Sequence, residues 1–329
     1  MTRRYVVIGA GAIGGTLAVR LFHAGHDVAM VARGKSLDAL RRRGLKLVIG
    51  KKSLRVDMPT FESPEDARIS ESDVVLLAVK AEDSLAALNT LRAATSDVVP
   101  VVCAQNGVWT EMTASRFFLH VYGMCVYMHA VHVEAGVVEV VSRSGLGATL
   151  VGRFPDGGDD FTARLADDLR GAGFDSRPDN DIMALKYAKL LFNVSSGFDA
   201  LCGHAGLRSA VREELRHEAR AVLAATGIDI GDAERKLSEV ALAFGTPSSS
   251  SADAPLGSTW QSLQRRTGHV EADYLNGEIV ALGRRRGVAT PANWAVQRLS
   301  YEAARAARPP GDVPVRVVEA EIARCRARS

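Results

Sequence analysis

The sequence predicts an α/β protein in which a doubly wound, mostly parallel sheet is followed by an all-helical carboxyl-terminal domain. Short apolar, β-branched runs alternate with helical stretches in the first half, a glycine-rich turn follows the first run, and long helical patterns dominate the second half. Continuous apolar strands separated by helices are typical of a parallel sheet covered on both faces. A length of 329 residues fits two domains, which we place at residues 1–178 and 179–329.

Short runs of mainly apolar residues predict the sheet of the first domain. These candidate strands are Tyr5–Ile8, Asp27–Val31, Val74–Val79, Val98–Cys103, Val121–Cys125 and Leu146–Val151. Helical patterns lie between them, for example Ile13–Ala24 and Asp83–Ala94. Two further segments, Gly44–Met58 and Ala130–Val141, each hold two strand-like runs around a glycine-containing turn, which predicts two hairpins.

The second domain is predicted from long helical patterns. They cover Asp181–Ala200, Ala210–Thr226, Val270–Gly287, Pro291–Ala306 and Val315–Arg328. Asp179, Asn180 and Asp181 are N-cap candidates for the first of these helices, and Pro291 suits the first turn of another. The serine-rich stretch 246–253 cannot pack a core, so we expect a surface loop there.

The turn between the first strand and the first helix has the pattern GxGxxG. It consists of Gly9, Ala10, Gly11, Ala12, Ile13 and Gly14. A strand leads in, a helix leads out, and a second strand completes a βαβ unit, which is the context of a Rossmann-type dinucleotide site. The first glycine permits the tight turn, and the second lets the backbone approach a pyrophosphate at the positive end of the helix. We therefore predict a bound dinucleotide.

The end of the second strand indicates which dinucleotide. An NAD-selective site carries Asp or Glu there, to accept a hydrogen bond from the ribose 2′-hydroxyl. This chain has Arg33 and Lys35 instead, and either cation could pair with a 2′-phosphate. We therefore expect the cofactor to be NADP(H).

Composition excludes several other classes of protein. The 41 basic and 38 acidic residues nearly balance, and aromatic residues make up only 6%, so the chain lacks the features of a nucleic-acid binder. No apolar run approaches the roughly 18–20 residues that a membrane span needs. Cys103, Cys125, Cys202 and Cys325 are far apart, which favours reduced thiols over a disulfide framework or a zinc site. We expect a cytoplasmic protein that uses no metal.

Polar residues follow two of the predicted parallel strands. Lys80 comes after one apolar run and Asn106 after the next. Ligands of doubly wound sheets bind outside the carboxyl ends of the strands, so both side chains are expected to face the cofactor crevice.

One predicted helix of the second domain carries polar residues among apolar ones. Lys186, Lys189 and Asn193 share a face, with leucines and Phe192 around them. A lysine in a largely apolar helix is costly unless it has a partner or a task, such as that of a general acid. The residues by themselves leave open which of the two lysines has that task.

These clusters together resemble the ketopantoate reductase (2-dehydropantoate 2-reductase) family, and the likeness runs over nearly the whole chain. The matching motifs are GAGAIG at Gly9–Gly14, AVKA around Lys80, QNG at Gln105–Gly107, KLxxN at Lys189–Asn193, SxxQ at Ser258–Gln261 and ExDYLNG at Glu271–Gly277. The resemblance implies reduction of the C2 ketone of 2-dehydropantoate by NADPH, giving pantoate for pantothenate biosynthesis.

The resemblance also implies roles for individual residues. Lys189 would be the proton donor and would touch the substrate. Asn193 and Ser258 would bind the substrate by hydrogen bonds. The remaining assignments are Lys80, Asn106, Ala130 and Glu271 at the cofactor, with Asn106 also close to the substrate.

The sequence departs from the family pattern in two places. The asparagine usual one turn beyond Asn193 is missing, because the segment reads Val194–Gly197, and Ser195, Ser196 or nothing replaces it. The acidic residue that usually follows the glutamine of the serine motif is Ser262 here. An NADP-dependent reductase of another 2-oxo acid is therefore the alternative, and a non-catalytic NADP(H) sensor is a further one. The oligomeric state stays open, with a homodimer as one option.

Overall fold

The computed structural model describes residues 3–142, 145–244 and 257–328. They form two compact units. One holds the residues up to Leu185 together with those from Arg235, and the other holds Lys186–Glu234 and the described residues from Gly257. The serine-rich stretch 246–253, predicted to be a loop, lies outside the described residues.

The strands all belong to the first unit. In chain order they are β1 (Arg4–Ile8), β2 (Asp27–Val31), β3 (Leu45–Ile49), β4 (Lys52–Val56), β5 (Thr60–Phe61), β6 (Val74–Leu77), β7 (Val101–Cys103), β8 (Val121–Tyr127), β9 (Ala130–Glu134), β10 (Val137–Val140), β11 (Ala148–Arg153) and β12 (Asp175–Pro178).

The helices occur in both units. In chain order they are α1 (Ala12–His23), α2 (Gly34–Arg43), α3 (Ala81–Ala94), α4 (Trp109–Ala114), α5 (Asp160–Gly171), α6 (Ile182–Asn193), α7 (Ser196–Cys202), α8 (Val211–Thr226), α9 (Gly231–Phe244), α10 (Ser258–Gln264), α11 (Asn276–Arg286), α12 (Pro291–Arg305) and α13 (Val315–Arg326). Short 3-10 helices cover Gly203–Arg208 and Glu271–Tyr274. No helix in the described ranges is long and apolar enough to cross a membrane.

The main sheet confirms the predicted doubly wound, mostly parallel topology. Its spatial order is β12-β11-β8-β7-β6-β1-β2-β5, and the single antiparallel pair is β8 with β11. Tyr5 and Val7 of the central strand pack into one core, whereas Val6 and Ile8 pack into another. Successive side chains of a strand point to opposite faces, so the continuous apolar runs reflect a sheet buried on both sides. The chain order reverses between β1 and β6, which is where such folds bind ligands.

The two predicted hairpins are present, and the structure adds a second sheet built from them. Hairpins β3–β4 and β9–β10 join through parallel pairing of β3 with β10. This four-stranded sheet packs on α1, where a Cβ at Gly15 would lie 3.0 Å from a methyl carbon of Val138. Pairing between segments about ninety residues apart leaves no local signal in the sequence.

Two predicted helices are shorter than expected. The helix predicted over 181–200 ends at Asn193, and α7 begins after Ser195. The Val194 carbonyl, which an uninterrupted helix would use within itself, accepts a hydrogen bond from the Asn276 side chain. The helix predicted over 270–287 begins as a 3-10 turn and becomes α11 only at Asn276. The sequence analysis also gave no helix for α9.

A buried carboxyl group in α7 makes the stability of the fold depend on pH. Asp199 is almost inaccessible, and burial raises its pKa from 3.8 to about 6, although Arg212 and Arg216 oppose the shift. The Asp199 Oδ2 atom lies 3.6 Å from the nearest guanidinium nitrogen of Arg212. Because the folded-state pKa is the higher one, the folded state binds the proton more tightly than the unfolded chain. This contribution to stability is therefore complete below pH 4 and is lost as the pH rises through about 6.

We expect Asp199→Asn, whose side chain stays neutral, to stabilise the protein more at pH 7.5 than at pH 4.5. The free energy of unfolding of the variant relative to wild type should change by about 2 kcal/mol between these pH values, because one pKa unit corresponds to about 1.4 kcal/mol and the unfolded-state carboxyl is already mostly ionised at pH 4.5. Denaturant titrations of both proteins at the two pH values measure it. A difference that does not vary with pH would contradict the prediction.

Candidate active site

The glycine-rich turn brings β1, α1 and β6 into backbone contact. Gly9 has a φ of +112°, and a Cβ there would lie 2.8 Å from the carbonyl carbon of Ala78. A Cβ at Gly14 would lie 2.0 Å from the Gly9 carbonyl oxygen and 2.9 Å from the Ala78 Cβ. No other residue type fits either position without moving backbone, so the two glycines set the distance between helix and sheet.

The middle glycine of the turn faces open space. No heavy atom would come within 4 Å of a Cβ at Gly11, which is the N-cap of α1. The first turn of α1 carries no acidic residue, and no side chain caps it. The first amides of a helix lack intrahelical acceptors and carry a partial positive charge. The turn therefore suits a phosphate group at Gly11, with Ala10, Ala12 and Ile13 beside it.

The end of β2 lies next to this turn, because the Gly9 amide donates to the Val31 carbonyl at 3.0 Å. Arg33 follows as the exposed N-cap of α2, and Lys35 lies in the first turn of that helix. That first turn contains no acidic residue. Both cations are thus exposed and follow the strand whose end contacts the glycine turn.

Lys80 and Asn106 follow neighbouring parallel strands at the same edge of the sheet. Lys80 is the N-cap of α3, and its Nζ lies 3.7 Å from a carboxylate oxygen of Glu82. Asn106 is half-buried just beyond β7. Since β1, β6 and β7 are parallel, this edge also carries the glycine turn. Ala130 begins β9 in the second sheet, which packs against α1.

The sequence analysis gave no role to one buried polar side chain at this edge. Gln105 immediately precedes Asn106, is buried, and has no hydrogen-bond partner for either amide atom among the described residues. An unpaired buried amide is unfavourable unless a ligand or water satisfies it. The sequence signal that could have identified Gln105 as a candidate site residue was its position in the motif Gln105–Gly107.

In the second unit, α6 distinguishes the two candidate lysines. Lys186 is only 3% exposed, whereas Lys189 is half-buried. Asn193 lies one turn after Lys189 and is also half-buried, and its Nδ2 atom lacks a partner among the described residues. Phe192 between them is 46% exposed. Lys189 and Phe192 therefore keep accessible surface on α6, and the unpaired Nδ2 atom of Asn193 is buried beside them.

Ser258 and Glu271 belong to the same unit as Lys189. Ser258 begins α10, and its carbonyl accepts from the hydroxyl of Ser262, the residue that replaces the acid of the family pattern. Glu271 is buried and begins the 3-10 turn before α11, where its carbonyl accepts from the Leu275 amide at 3.0 Å.

The asparagine that the family usually has one turn beyond Asn193 is replaced here by Gly197, and the structure leaves little space for a side chain at that position. A Cβ at Gly197 would lie 2.8 Å from the Ser300 Oγ and 2.9 Å from a methyl carbon of Val296. A longer side chain at this position therefore does not fit without rearrangement of α12. Ser195 is buried, and its hydroxyl has no partner among the described residues, whereas Ser196 is half-buried.

Two family models match the chain in sequence order. The ketopantoate reductase PanE/ApbA model matches residues 5–156, and the model of the carboxyl-terminal part of that family matches residues 181–303. A 2-dehydropantoate 2-reductase of Archaeoglobus fulgidus is 30% identical over 294 residues, which cover 87% of this chain and 92% of that protein.

Solved structures share the fold. A PanE/ApbA family ketopantoate reductase from Ralstonia eutropha JMP134 has a TM-score of 0.76 at 26% identity, with 93% of this chain and 99% of that chain covered. A D-mandelate dehydrogenase with NADH and anilino(oxo)acetate has a TM-score of 0.78 at 20% identity, with 92% and 99% covered, which shows a common fold only. Given both matched models and a relative aligned over most of its length, the chain belongs to the ketopantoate reductase family of oxidoreductases.

Proposed function

We propose that this protein reduces 2-dehydropantoate to pantoate with NADPH, in pantothenate biosynthesis. The observation that carries the proposal is on α6, where Lys189 keeps accessible surface and Asn193, one turn later, has a buried Nδ2 atom without a partner among the described residues. The same chain contains a glycine turn that suits a phosphate group, and it belongs to a reductase family. An ammonium group, an amide donor and a nucleotide site are together what reduction of a 2-oxo acid requires.

The residues of the first unit fit a bound dinucleotide. The open space over Gly11 and the amides at the start of α1 would hold the pyrophosphate. Arg33 would hold the 2′-phosphate, which favours NADP(H) over NAD(H). Lys80, Asn106 and Ala130 would contact the remainder of the cofactor, and Glu271 of the second unit would lie by the nicotinamide ribose.

In the proposed reaction, the protein itself would supply the proton that the C2 oxygen of the substrate receives. NADPH supplies a hydride to the C2 carbon when it is bound. The C2 oxygen then gains negative charge, which the Lys189 ammonium stabilises and neutralises by donating a proton. Asn193, Ser258 and Asn106 would hold the substrate by hydrogen bonds. Lys186 is the less suitable donor, because its side chain is buried.

Two observations favour a second candidate function. Gly197 offers no side chain where the family usually has an asparagine, and Phe192 exposes an aromatic ring on the same helix. Both features suit a 2-oxo acid with a less polar substituent than that of 2-dehydropantoate. The alternative is therefore an NADP-dependent reductase of another 2-oxo acid.

Three further expectations belong to this proposal. The domains are residues 1–178, for cofactor binding, and 179–329, for substrate binding and catalysis. The protein acts in the cytoplasm, in keeping with four buried cysteines that are far apart in the sequence. Its partner is a small-molecule acid, and a homodimer is the oligomer to test.

Steady-state oxidation of NADPH with 2-dehydropantoate, compared with other 2-oxo acids, tests the proposed reaction. A kcat/KM that is highest for 2-dehydropantoate supports it. A higher value for phenylglyoxylate or 2-oxoisovalerate selects the second candidate. NADPH binding without turnover of any acid contradicts both and indicates a sensor.

Substitution of Lys189 by Ala should lower kcat by about 10²–10⁴-fold, the range typical of a positioned general acid. NADPH affinity should stay nearly constant. Lys186→Met, which removes the charge of the neighbouring lysine, should keep most of the turnover. If Lys186→Met loses activity and Lys189→Ala retains it, the proton donor is Lys186.

Gly11→Ala tests the phosphate site without disturbing the fold, because a Cβ there meets only open space. We expect a melting temperature close to that of wild type and NADPH binding weakened at least about tenfold, or roughly 1.4 kcal/mol, when measured by calorimetry. Gly14→Ala is the contrasting variant, since its Cβ collides with the Gly9 carbonyl and should destabilise the protein. Unchanged NADPH affinity in Gly11→Ala would place the phosphates elsewhere.

Arg33→Ala tests cofactor selectivity. A hydrogen bond to a charged group contributes about 1.5–3 kcal/mol, so NADPH affinity should fall roughly 10–100-fold while NADH affinity changes little. Arg41→Ala removes the same charge from an exposed position in the last turn of α2 and is the matched control. An equal loss in both variants would mean that only general electrostatic attraction is involved.

A further inference from the structure

The helix that carries Lys189 and Asn193 ends at a side chain from a distant part of the sequence. The Val194 carbonyl directly follows Asn193 and accepts a hydrogen bond of 2.8 Å from the Asn276 Nδ2 atom. The last carbonyls of an α-helix have no intrahelical partner and need one from elsewhere. Asn276 supplies it, although 82 positions separate the two residues.

The orientation of the Asn276 side chain is set by a buried polar network. Its Nδ2 atom also donates to the Asn293 Oδ1 atom at 3.0 Å. Asn293 in turn donates through its own Nδ2 to a carboxylate oxygen of Glu218 at 2.8 Å and to the Leu215 carbonyl at 3.1 Å. Because Asn293 must present its amino group to these acceptors, its oxygen faces Asn276. Asn276 must therefore present its amino group to both Asn293 and Val194.

Glu218 fixes the other end of this network. Its carboxylate accepts the backbone amides of Ala292 and Asn293, at 2.8 and 2.9 Å, in the first turn of α12. Asn276 and Asn293 are completely buried, and Glu218 nearly so. The Asn276 Oδ1 atom has no partner among the described residues, but the amino groups of both asparagines are paired. Turning either amide over would place an oxygen against another acceptor oxygen, so the network holds both side chains in one orientation. It therefore links α8, α11 and α12 to the end of α6.

The hydrogen bond between Asn276 and Val194 also fixes the segment that begins with Glu271 relative to the last turn of α6. Asn276 is the first residue of α11, and the preceding 3-10 turn begins with Glu271. The Leu275 amide donates to the Glu271 carbonyl, so the segment from 271 to 276 is held as one piece. A hydrogen bond from this piece to Val194 sets the separation between Glu271 and the turn that holds Lys189 and Asn193.

We propose that Asn276 is a positioning residue for the reaction, acting through the last turn of α6. This inference rests on the proposed function for its catalytic consequence. Asn276 has no accessible surface, so it does not touch the substrate. Loss of its amino group frees the end of α6 and lets Lys189 and Asn193 depart from their working geometry. Displacements of about 1 Å can lower rates by about 10²-fold.

The experiment compares the full-length wild type with Asn276→Ala and with Ile279→Val. The second variant removes one buried methyl group from α11, one turn further along, and leaves the Asn276 hydrogen bonds intact. Asn276→Ser, which adds no bulk and keeps a shorter donor, replaces Asn276→Ala if that variant does not fold. Circular dichroism and thermal melts establish that the compared proteins are folded.

Two measurements are made on each protein. Hydrogen–deuterium exchange of the segment 190–199 should be at least about tenfold faster in Asn276→Ala and unchanged in Ile279→Val. The kcat for 2-dehydropantoate should fall about 10–100-fold in Asn276→Ala, with the KM for NADPH within about twofold of wild type. Ile279→Val should differ from wild type by less than about twofold in both constants.

Either of two results would overturn the inference. Exchange in segment 190–199 that is the same in Asn276→Ala and Ile279→Val shows that Asn276 does not hold α6. Equal kcat values in these two variants show that the hydrogen bond from Asn276 to α6 has no catalytic effect. Failure of the proposed function is separately visible, because wild type would then not reduce 2-dehydropantoate, and kcat is compared on whichever 2-oxo acid it does reduce.

Discussion

The contact between the glycine turn and β6 is the constraint on which the first unit depends. Gly14 packs against the Gly9 carbonyl and Ala78 at distances that allow no side chain. This contact presses the start of α1 against the point where the strand order reverses. The helix amides, the open face of Gly11 and the carboxyl ends of β6 and β7 consequently lie at one edge of the sheet. The proposed nucleotide site therefore depends on backbone packing before any charged side chain contributes.

The second sheet packs against α1 as well and further restricts its position. Gly15 lets α1 approach Val138 of β10, so the helix is held between two sheets. Backbone groups at such a helix start move little when a ligand binds, and rigid donors cost less to order than flexible ones. The hairpins, which look like insertions in the sequence, thereby support the predicted cofactor site.

In the second unit, hydrogen bonds between buried polar groups fix the positions of the helices, as backbone packing fixes α1 in the first unit. The network from Glu218 through Asn293 and Asn276 to Val194 crosses four helices. Apolar packing alone tolerates small shifts between helices, whereas paired buried polar groups favour one arrangement. The functions proposed for Lys189 and Asn193 require such precision, and the network ends one residue after Asn193.

The sequence by itself determined the features that depend on local pattern. Alternating apolar runs and helices predicted the doubly wound sheet, and Gly9–Gly14 predicted the tight turn between β1 and α1, because strand burial and tight turns restrict neighbouring residues directly. The motifs around Lys80, Lys189 and Glu271 indicated the ketopantoate reductase family. Only the tertiary structure decided that β3 pairs with β10, that α6 stops at Asn193, and that Lys186 is buried while Lys189 is half-buried. These outcomes depend on contacts between residues far apart in the chain, whose packing and hydrogen bonds override the local preference.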